Sequence, residues 1–131
     1  MILYNHQVKV YYKDIDKMGI VYYSRYFEYF EEARTELLNS IGLDVTSIEK
    51  SGIYLPVIIS HCEYKKGSTF EEKIIIQTSI SDLPKSRMKI KYLVKNSKTD
   101  SVLVTGYTIH AFMKENGKPT KVPNLILSSL K

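Results

Sequence analysis

The sequence predicts a single α+β domain over residues 1–131, in which one antiparallel sheet wraps around one long helix. Three observations support this class. A strand pattern lies near the N-terminus, a long amphipathic helix pattern follows it, and four further strand patterns lie beyond residue 52. A chain of 131 residues has the usual length of one domain and can bury a core without disulfide or metal support.

The strongest element is a helix over residues 24–41, with Ser24 as its N-cap and Gly42 directly after its end. Thr46 and Glu49 have the spacing of a capping box, which predicts a short second helix. The apolar stripe of the long helix comprises Tyr26, Phe27, Phe30, Ala33, Leu37, Leu38 and Ile41. Its polar side comprises Glu28, Glu31, Glu32, Arg34, Glu36 and Asn39.

Strands account for the rest of the chain. The first is predicted over residues 5–13, because Val8, Val10 and Tyr12 alternate with polar side chains. The other four strand patterns cover residues 55–65, Lys73–Ser81, Arg87–Lys95 and Val102–Met113. The turns between the later strands are predicted at Asp82–Lys85, Asn96–Asp100 and Glu115–Lys118.

The composition of the chain indicates its cellular compartment and the kind of partner it could bind. The lone Cys62 excludes an internal disulfide and fits a reducing compartment, and no apolar run approaches the length of a membrane span, so we expect a cytoplasmic protein. The net charge is +5, with the basic excess mainly beyond residue 60. That excess fits either a solvated surface or an anionic partner. No nucleic-acid-binding motif is present, so the phosphates of a small molecule are the better candidate for such a partner.

The candidate site lies between the first strand and the long helix. Asp14 and Asp16 precede Gly19, which permits a tight turn. On an extended backbone both carboxylates would project to the same side. A carboxylate here would lie beside the free N–H groups and the positive dipole end of the helix, an arrangement that acyl transfer can use. Asp16 is the preferred working group because it lies closer to the helix, although either aspartate could instead serve the turn.

Other side chains carry weaker signals. Tyr22 could shape an acyl pocket or simply pack, and the backbone N–H of Tyr23 could polarise a carbonyl whatever its side chain does. His61 and His110 fall in predicted strands without metal-ligand spacing, and Cys62 lacks a basic, helix-end setting. The chain has no serine-hydrolase elbow, P-loop or dinucleotide fingerprint. Neither a metal nor an organic cofactor is expected.

The opening segment resembles that of the 4-hydroxybenzoyl-CoA thioesterase-like family, and most closely its short acyl-CoA thioesterases of the Tol-Pal-associated type. The residues that carry the resemblance are Tyr12-x-Asp14-x-Asp16-x-x-Gly19-x-Val21-Tyr22-Tyr23-x-x-Tyr26 and Tyr29-Phe30-Glu31-Glu32-Ala33-Arg34. The resemblance implies a hot-dog fold, in which a five-stranded antiparallel sheet curls around the long helix. It also implies a homodimer or a homotetramer built as a dimer of dimers, with active sites at the dimer interface.

The resemblance further implies an acyl-CoA thioesterase in which Asp16 is the nucleophile or general base and the Tyr23 N–H polarises the thioester carbonyl. At the position of Tyr23 the Tol-Pal-associated enzymes usually carry histidine, whereas some hydroxybenzoyl-CoA enzymes carry tyrosine as here. The expected substrate-binding residues are Tyr12, Gly19, Val21, Tyr22, Lys85, Ser86 and Arg87, of which the last three would hold the CoA phosphates.

Two alternatives stay open at this point. The enzyme could act on thioesters of acyl carrier protein, whose acidic surface would make binding sensitive to salt. The chain could also be a non-catalytic acyl-CoA binding module. A hot-dog hydratase is disfavoured, because no histidine lies between residues 14 and 26.

Overall fold

The computed structural model describes residues 1–131 and confirms the predicted α+β class, with one long helix packed against an antiparallel sheet. The helices are α1 (Arg25–Ser40), α2 (Val45–Lys50) and α3 (Asn124–Leu130). The strands are β1 (Ile2–Lys9), β2 (Ile53–Tyr54), β3 (Val57–Tyr64), β4 (Lys73–Ile80), β5 (Arg87–Asn96), β6 (Val102–Lys114) and β7 (Pro119–Thr120). The five long strands lie in the order β1-β4-β5-β6-β3, and the short β2 and β7 also pair with β6.

The helix α1 lies on the inner face of the sheet, where close packing fixes its position. The Phe30 ring stacks on Tyr92 of β5 with a centroid distance of 4.1 Å and an interplanar angle of 6°. Gly106 of β6 leaves the space for this contact. A Cβ at position 106 would lie 2.8 Å from Phe30 Cε2 and 2.6 Å from the His61 carbonyl oxygen. The helix can approach the sheet this closely only because residue 106 has no side chain.

The predicted apolar stripe is buried at Tyr26, Phe30, Ala33, Leu37 and Leu38 and only partly buried at Phe27 and Ile41. Arg34, however, is not on the solvated side of α1. Its side chain is only 18% exposed, whereas that of Glu31, one turn earlier, is 74% exposed. The helical pattern groups Arg34 with the polar residues because its head is charged. Its long aliphatic stem nevertheless allows the side chain to lie along the core.

The first strand differs from its prediction over residues 5–13. β1 begins at Ile2 and ends at Lys9, and Tyr12–Asp14 form a 3₁₀ turn. The turn forms because the buried Asp14 carboxylate accepts a hydrogen bond from the Tyr11 N–H at 3.2 Å. Tyr12 therefore does not share a strand face with Val8; it is exposed and contacts Phe70 edge-to-face at 5.7 Å.

The predicted capping box of α2 is wrong. The N-cap is Asp44, whose carboxylate accepts the Ser47 N–H at 3.1 Å. The helix α3 was not predicted, although Ile126 and Leu130 are spaced four residues apart and are both buried. No helix of the chain combines the length and the apolar character needed to cross a membrane.

Two long strands form the edges of the sheet. β1 pairs only with β4, and β3 pairs only with β6. The β3 edge begins with three exposed apolar residues, Val57, Ile58 and Ile59, each more than 40% accessible. An unpaired edge with apolar side chains is suited to pairing with another strand.

Candidate functional site

The segment between Asp14 and Tyr22 folds as a small hairpin that presents Asp16. Ile15 and Val21 form an isolated antiparallel bridge at its base. The Asp16 N–H donates to the Ile20 carbonyl at 2.9 Å, and the Gly19 N–H donates to the Asp16 carbonyl at 3.0 Å. Gly19 has φ +79°, a left-handed conformation that glycine adopts without strain, so the predicted glycine turn is present.

The Asp16 carboxylate is half-buried and only partly engaged. Its Oδ1 accepts the Met18 N–H at 2.8 Å, which fixes the side chain in an Asx turn. Its Oδ2 has no hydrogen-bond partner within the chain. Asp16 therefore has a fixed orientation and one carboxylate oxygen free for chemistry.

The start of α1 lies next to this hairpin. Ser24 occupies the predicted N-cap position, but its backbone is already helical and its side chain does not cap. The Arg25 N–H donates to the Tyr22 carbonyl at 2.9 Å, and the Tyr22 N–H donates to the Asp14 carbonyl at 2.8 Å. The N–H groups of Tyr23 and Ser24 have no acceptor in the chain, as expected for the first turn of a helix. These two N–H groups are available to an external oxygen.

Asp14 has a different environment from Asp16, so the prediction that both project to the same side is wrong. Its carboxylate is 3% exposed and lies 3.0 Å from Lys13 Nζ and 3.8 Å from Arg25 Nε. Burial by itself raises the pKa of Asp14, but hydrogen bonds from Lys13 and the Tyr11 N–H hold that pKa below its ordinary value. Asp14 therefore ties the hairpin to α1 and is not presented to the cavity.

A cavity of about 300 Å³ brings Asp16 and Tyr23 together. Tyr64, at the end of β3, donates its hydroxyl to the Tyr23 carbonyl at 3.2 Å, and the two rings meet edge-to-face at 6.2 Å. Lys65 and Lys66 follow directly and line the same cavity. These three site residues were not predicted from the sequence, because β3 is brought beside the helix start only by the fold.

The other predicted residues of the opening segment lie around this cavity. Val21 lines it and is buried, whereas Gly19 shapes the hairpin turn without lining it. Tyr22 is exposed and packs against Tyr23 at 4.6 Å, outside the cavity. Tyr12 lies outside it too, on Phe70.

Lys85, Ser86 and Arg87 lie at the other end of the sheet in the same chain. Arg87 pairs with Ala111 on β6, whereas Tyr64, beside the cavity, pairs with Val104. The stretch of β6 from Val104 to Ala111 spans roughly 24 Å. The fold of one chain therefore does not bring these residues together with Asp16.

Other titratable groups lie outside this cavity. His110 is buried. Its Nε2 forms a hydrogen bond with Thr108 Oγ1 at 2.9 Å, and its Nδ1 forms one with the Leu55 carbonyl oxygen at 3.0 Å. Burial raises the pKa of the half-buried Cys62 thiol. No group of three or more His, Cys, Asp or Glu side chains is arranged to hold a metal ion.

Comparison with known proteins gives a consistent set of relatives. A family model described as the thioesterase-like superfamily matches residues 10–130. A putative esterase from Aquifex aeolicus is 32% identical over 98% of this chain and 97% of that protein. The acyl-CoA thioesterase YbgC from Haemophilus influenzae is 30% identical over 61% of this chain and 60% of that protein. A solved structure of a DHNA-CoA thioesterase from Staphylococcus aureus is 31% identical, with a TM-score of 0.86 over 92% of this chain and 81% of that one.

Proposed function

We propose that this chain, which belongs to the thioesterase-like superfamily of hydrolases, hydrolyses the thioester bond of acyl-CoA to a free acid and CoA. Within the family, the opening motif favours the Tol-Pal-associated type. One observation carries the assignment. Asp16, whose Oδ2 has no hydrogen-bond partner, and Tyr23, whose N–H has no acceptor, line the same cavity, and attack on a thioester carbonyl can use a carboxylate and an N–H donor in this combination.

The start of α1 would supply the electrophilic half of the mechanism. The thioester oxygen would accept the Tyr23 N–H, and the helix dipole would add to the stabilisation of negative charge. Removing one such donor typically costs about 3–4 kcal/mol of transition-state stabilisation. The peptide that carries this donor is held by its own carbonyl, that of Tyr22, which accepts the Arg25 N–H at 2.9 Å. The Tyr64 hydroxyl holds the next peptide of the helix start through the Tyr23 carbonyl.

Asp16 would supply the nucleophilic half by one of two routes. Its Oδ2 could attack the carbonyl carbon, expel the CoA thiolate and form a mixed anhydride that water then hydrolyses. Alternatively, it could take a proton from a water that attacks the carbonyl directly, with the thiolate again leaving. In both routes the products are a carboxylic acid and CoA, and no metal is required.

A second copy of the chain would complete the site. We infer that β3 pairs antiparallel with β3 of the partner, which would bury the exposed apolar edge at Val57, Ile58 and Ile59. Antiparallel pairing places the Val57 end of one strand beside the Tyr64 end of the other. Arg87 of the partner subunit, which lies near the Val57 end, would then approach the Asp16 cavity and could hold the CoA phosphates. The assembly would be a dimer, or a dimer of two such dimers.

A carrier-protein substrate is a second candidate for the same chemistry. Arg87, Lys89 and Lys91 alternate along β5, all three are exposed, and none has an acidic partner within 4 Å. A stripe of unpaired cations on the outer face of the sheet would suit an acidic protein that carries the acyl group. Binding of such a partner would weaken steeply as salt rises.

The test is a thiol-release assay of the purified chain with aliphatic and aromatic acyl-CoA esters and with the matching acyl carrier protein thioesters. The proposal expects turnover that saturates with substrate. Binding of acyl-CoA without any release of thiol would instead identify a non-catalytic binding module. Turnover of acyl carrier protein thioesters alone would favour the carrier-protein reading.

A further inference from the structure

The hairpin that presents Asp16 rests on the loop between β3 and β4, which we call the supporting loop (residues 65–72). The Val21 N–H donates to the Ser68 carbonyl at 2.9 Å. Ile20 and Thr69 form an isolated antiparallel bridge. The Ile20 carbonyl also accepts the Asp16 N–H, so a single residue connects the supporting loop to the backbone of Asp16. The place of the hairpin therefore depends on the place of this loop.

The carboxylate of Glu72 holds the supporting loop in its conformation. Its Oε1 accepts the Thr69 N–H at 3.1 Å and the Thr69 hydroxyl at 2.5 Å. Its Oε2 accepts the Ser68 hydroxyl at 3.2 Å and the Asn96 side-chain N–H at 2.8 Å. A carboxylate has about four acceptor sites, and here four donors occupy them. Three of the four hydrogen bonds come from the two loop residues that contact the hairpin.

These hydrogen bonds favour the ionised form of Glu72. Burial by itself raises the pKa of Glu72, but hydrogen bonds from Thr69, Ser68 and Asn96 hold that pKa below its ordinary value. All of these donors are neutral, and Glu72 has no ion-pair partner within 4 Å. Glu72 also does not line the Asp16 cavity, so its carboxylate orders the loop and is not presented to a substrate there.

The sheet anchors Glu72 from two sides. Its carbonyl accepts the N–H of Val10, the residue that follows β1, at 2.9 Å. Asn96 is the last residue of β5, and its Oδ1 accepts the N–H groups of Lys98 and Thr99 at 2.9 and 3.2 Å. Glu72 thus connects a fixed part of the sheet to the loop under the hairpin.

We propose that Glu72 is a positioning residue for the Asp16 hairpin, which fixes through Ser68 and Thr69 where the Asp16 carboxylate lies relative to the start of α1. Its effect on turnover rests on the proposed function, whereas its effect on the hairpin does not. A displacement of a reacting group by about 1 Å can cost about 10²-fold in rate. Because Glu72 lies outside the cavity, its loss should lower the rate of the chemical step more than it weakens substrate binding.

The test is Glu72→Gln, followed by thiol release and by amide hydrogen exchange in NMR spectra. A side-chain amide has one oxygen and one NH₂, so either the Thr69 N–H or the Asn96 N–H would face another N–H donor. We expect kcat for acyl-CoA to fall about tenfold or more, with KM nearly unchanged. We also expect the N–H groups of Val21 and Asp16 to exchange faster, whereas those of β5 and β6 keep their wild-type rates.

A second substitution should restore the network with donor and acceptor exchanged. In Glu72→Gln combined with Asn96→Asp, the new amide can donate to the new carboxylate, and its oxygen still accepts from Thr69. We expect kcat and the exchange of Val21 to return toward wild type. Asn96→Asp alone sets two carboxylates against each other and should lower kcat, as Glu72→Gln does. A double variant no better than Glu72→Gln would overturn the proposal.

A milder variant keeps the outcome decisive if Glu72→Gln does not fold. Thr69→Val, at an exposed position, removes only the hydroxyl bond and should change hairpin exchange and kcat in the same direction by smaller factors. Unchanged exchange of Val21 and Asp16 in either variant overturns the proposal. So does faster exchange shared equally by β5 and β6, which would report only lower global stability, or faster hairpin exchange with wild-type kcat. If the wild type releases no thiol, the proposed function fails, and the exchange rates still decide whether Glu72 holds the hairpin.

Discussion

Asp14 and Asp16 are separated by one residue, but their carboxylates have different surroundings. The Asp16 carboxylate keeps one oxygen without a hydrogen bond, whereas that of Asp14 is buried against Lys13 and Arg25. We predict that Asp16→Asn lowers kcat by about 10²–10⁴-fold, the usual contribution of a general base, with little change in stability or acyl-CoA binding. Thiol release measures the first effect, and calorimetry with a non-hydrolysable thioether analogue measures the binding.

Asp14→Asn is the matched control for that change. It should retain more activity than Asp16→Asn but lower the free energy of unfolding by about 1–3 kcal/mol, because a buried carboxylate loses its charged partners. If Asp16→Asn keeps more than about a tenth of the wild-type kcat, a loss below about 1.4 kcal/mol, Asp16 is not the catalytic group.

At the scale of single residues, the sequence predicts the part of the site that is local. Asp16, Gly19 and the start of α1 lie within ten residues of one another, so turn chemistry and helix physics are enough to bring them together. Tyr64 and Lys65 reach the same cavity from the end of β3, and nothing in their own segment signals it. The helical periodicity also wrongly predicted Arg34 on the solvated side of α1, because the polarity of a residue does not determine the orientation of a long side chain.

At the scale of elements, the contact between α1 and the sheet depends on Gly106. We predict that Gly106→Ala destabilises the fold by about 1–3 kcal/mol, the usual cost of overpacking, because the new Cβ would overlap Phe30 and the His61 carbonyl. Urea unfolding followed by circular dichroism measures the change.

Gly67→Ala is the control for this substitution. There the three atoms nearest to the new Cβ all belong to the Ile20 side chain, the closest at 2.8 Å, and none of them is a backbone atom. It should therefore cost less than Gly106→Ala. Equal losses for the two variants would show that the close approach of α1 is not what requires a glycine at position 106.

The hydrogen-bonded chain that ends at His110 predicts a pH dependence of stability. Burial lowers the pKa of His110, and the positive charge of Arg34 lowers it further. The hydrogen bond to the Leu55 carbonyl raises this pKa but does not cancel the lowering. The neutral ring is thus favoured in the folded state. The stability that the neutral ring contributes is fully present above a pH of about 6.5, the pKa of a histidine in the unfolded chain. That stability is lost as the pH falls from there through the lower pKa of His110 in the folded protein.

Unfolding midpoints in urea at pH 8, 6.5 and 5 test this expectation. The wild type should lose more stability on acidification than His110→Gln, which has no titrating group at this position. The other histidines and the carboxylates titrate in both proteins and cancel in the comparison. Parallel pH profiles would mean that His110 is not a source of the dependence.

The elements themselves were predictable where a single periodicity runs through them. The long helix and the strands β4, β5 and β6 each carry a clear pattern, and each lies close to its predicted bounds. The end of β1 was not predictable in this way, because Asp14 draws the chain into a 3₁₀ turn through a hydrogen bond to Tyr11. The edge position of β3 is likewise a property of strand order, which local sequence does not contain.

At the scale of the whole molecule, Arg87 and Asp16 lie too far apart in one chain to serve one site, so the proposed site needs a second copy of the chain. We predict a dimer or tetramer in sedimentation at micromolar concentration. In that assembly, Lys85→Ala with Arg87→Ala should raise KM for acyl-CoA and leave kcat nearly unchanged, because the phosphates lie far from the reacting carbon. The effect should shrink as salt rises and vanish for a pantetheine thioester that lacks the nucleotide.

Mixed assemblies test whether those cations act across the interface. Asp16→Asn chains lack the proposed catalytic carboxylate, and chains with Lys85→Ala and Arg87→Ala lack the proposed phosphate contacts. If each site takes Asp16 from one chain and Arg87 from its partner, a mixed dimer of the two variants contains one intact site. Random mixing in equal amounts should then restore roughly a quarter of the wild-type sites with the wild-type KM. If both groups come from one chain, no mixed dimer has an intact site, and mixing would restore no low-KM activity.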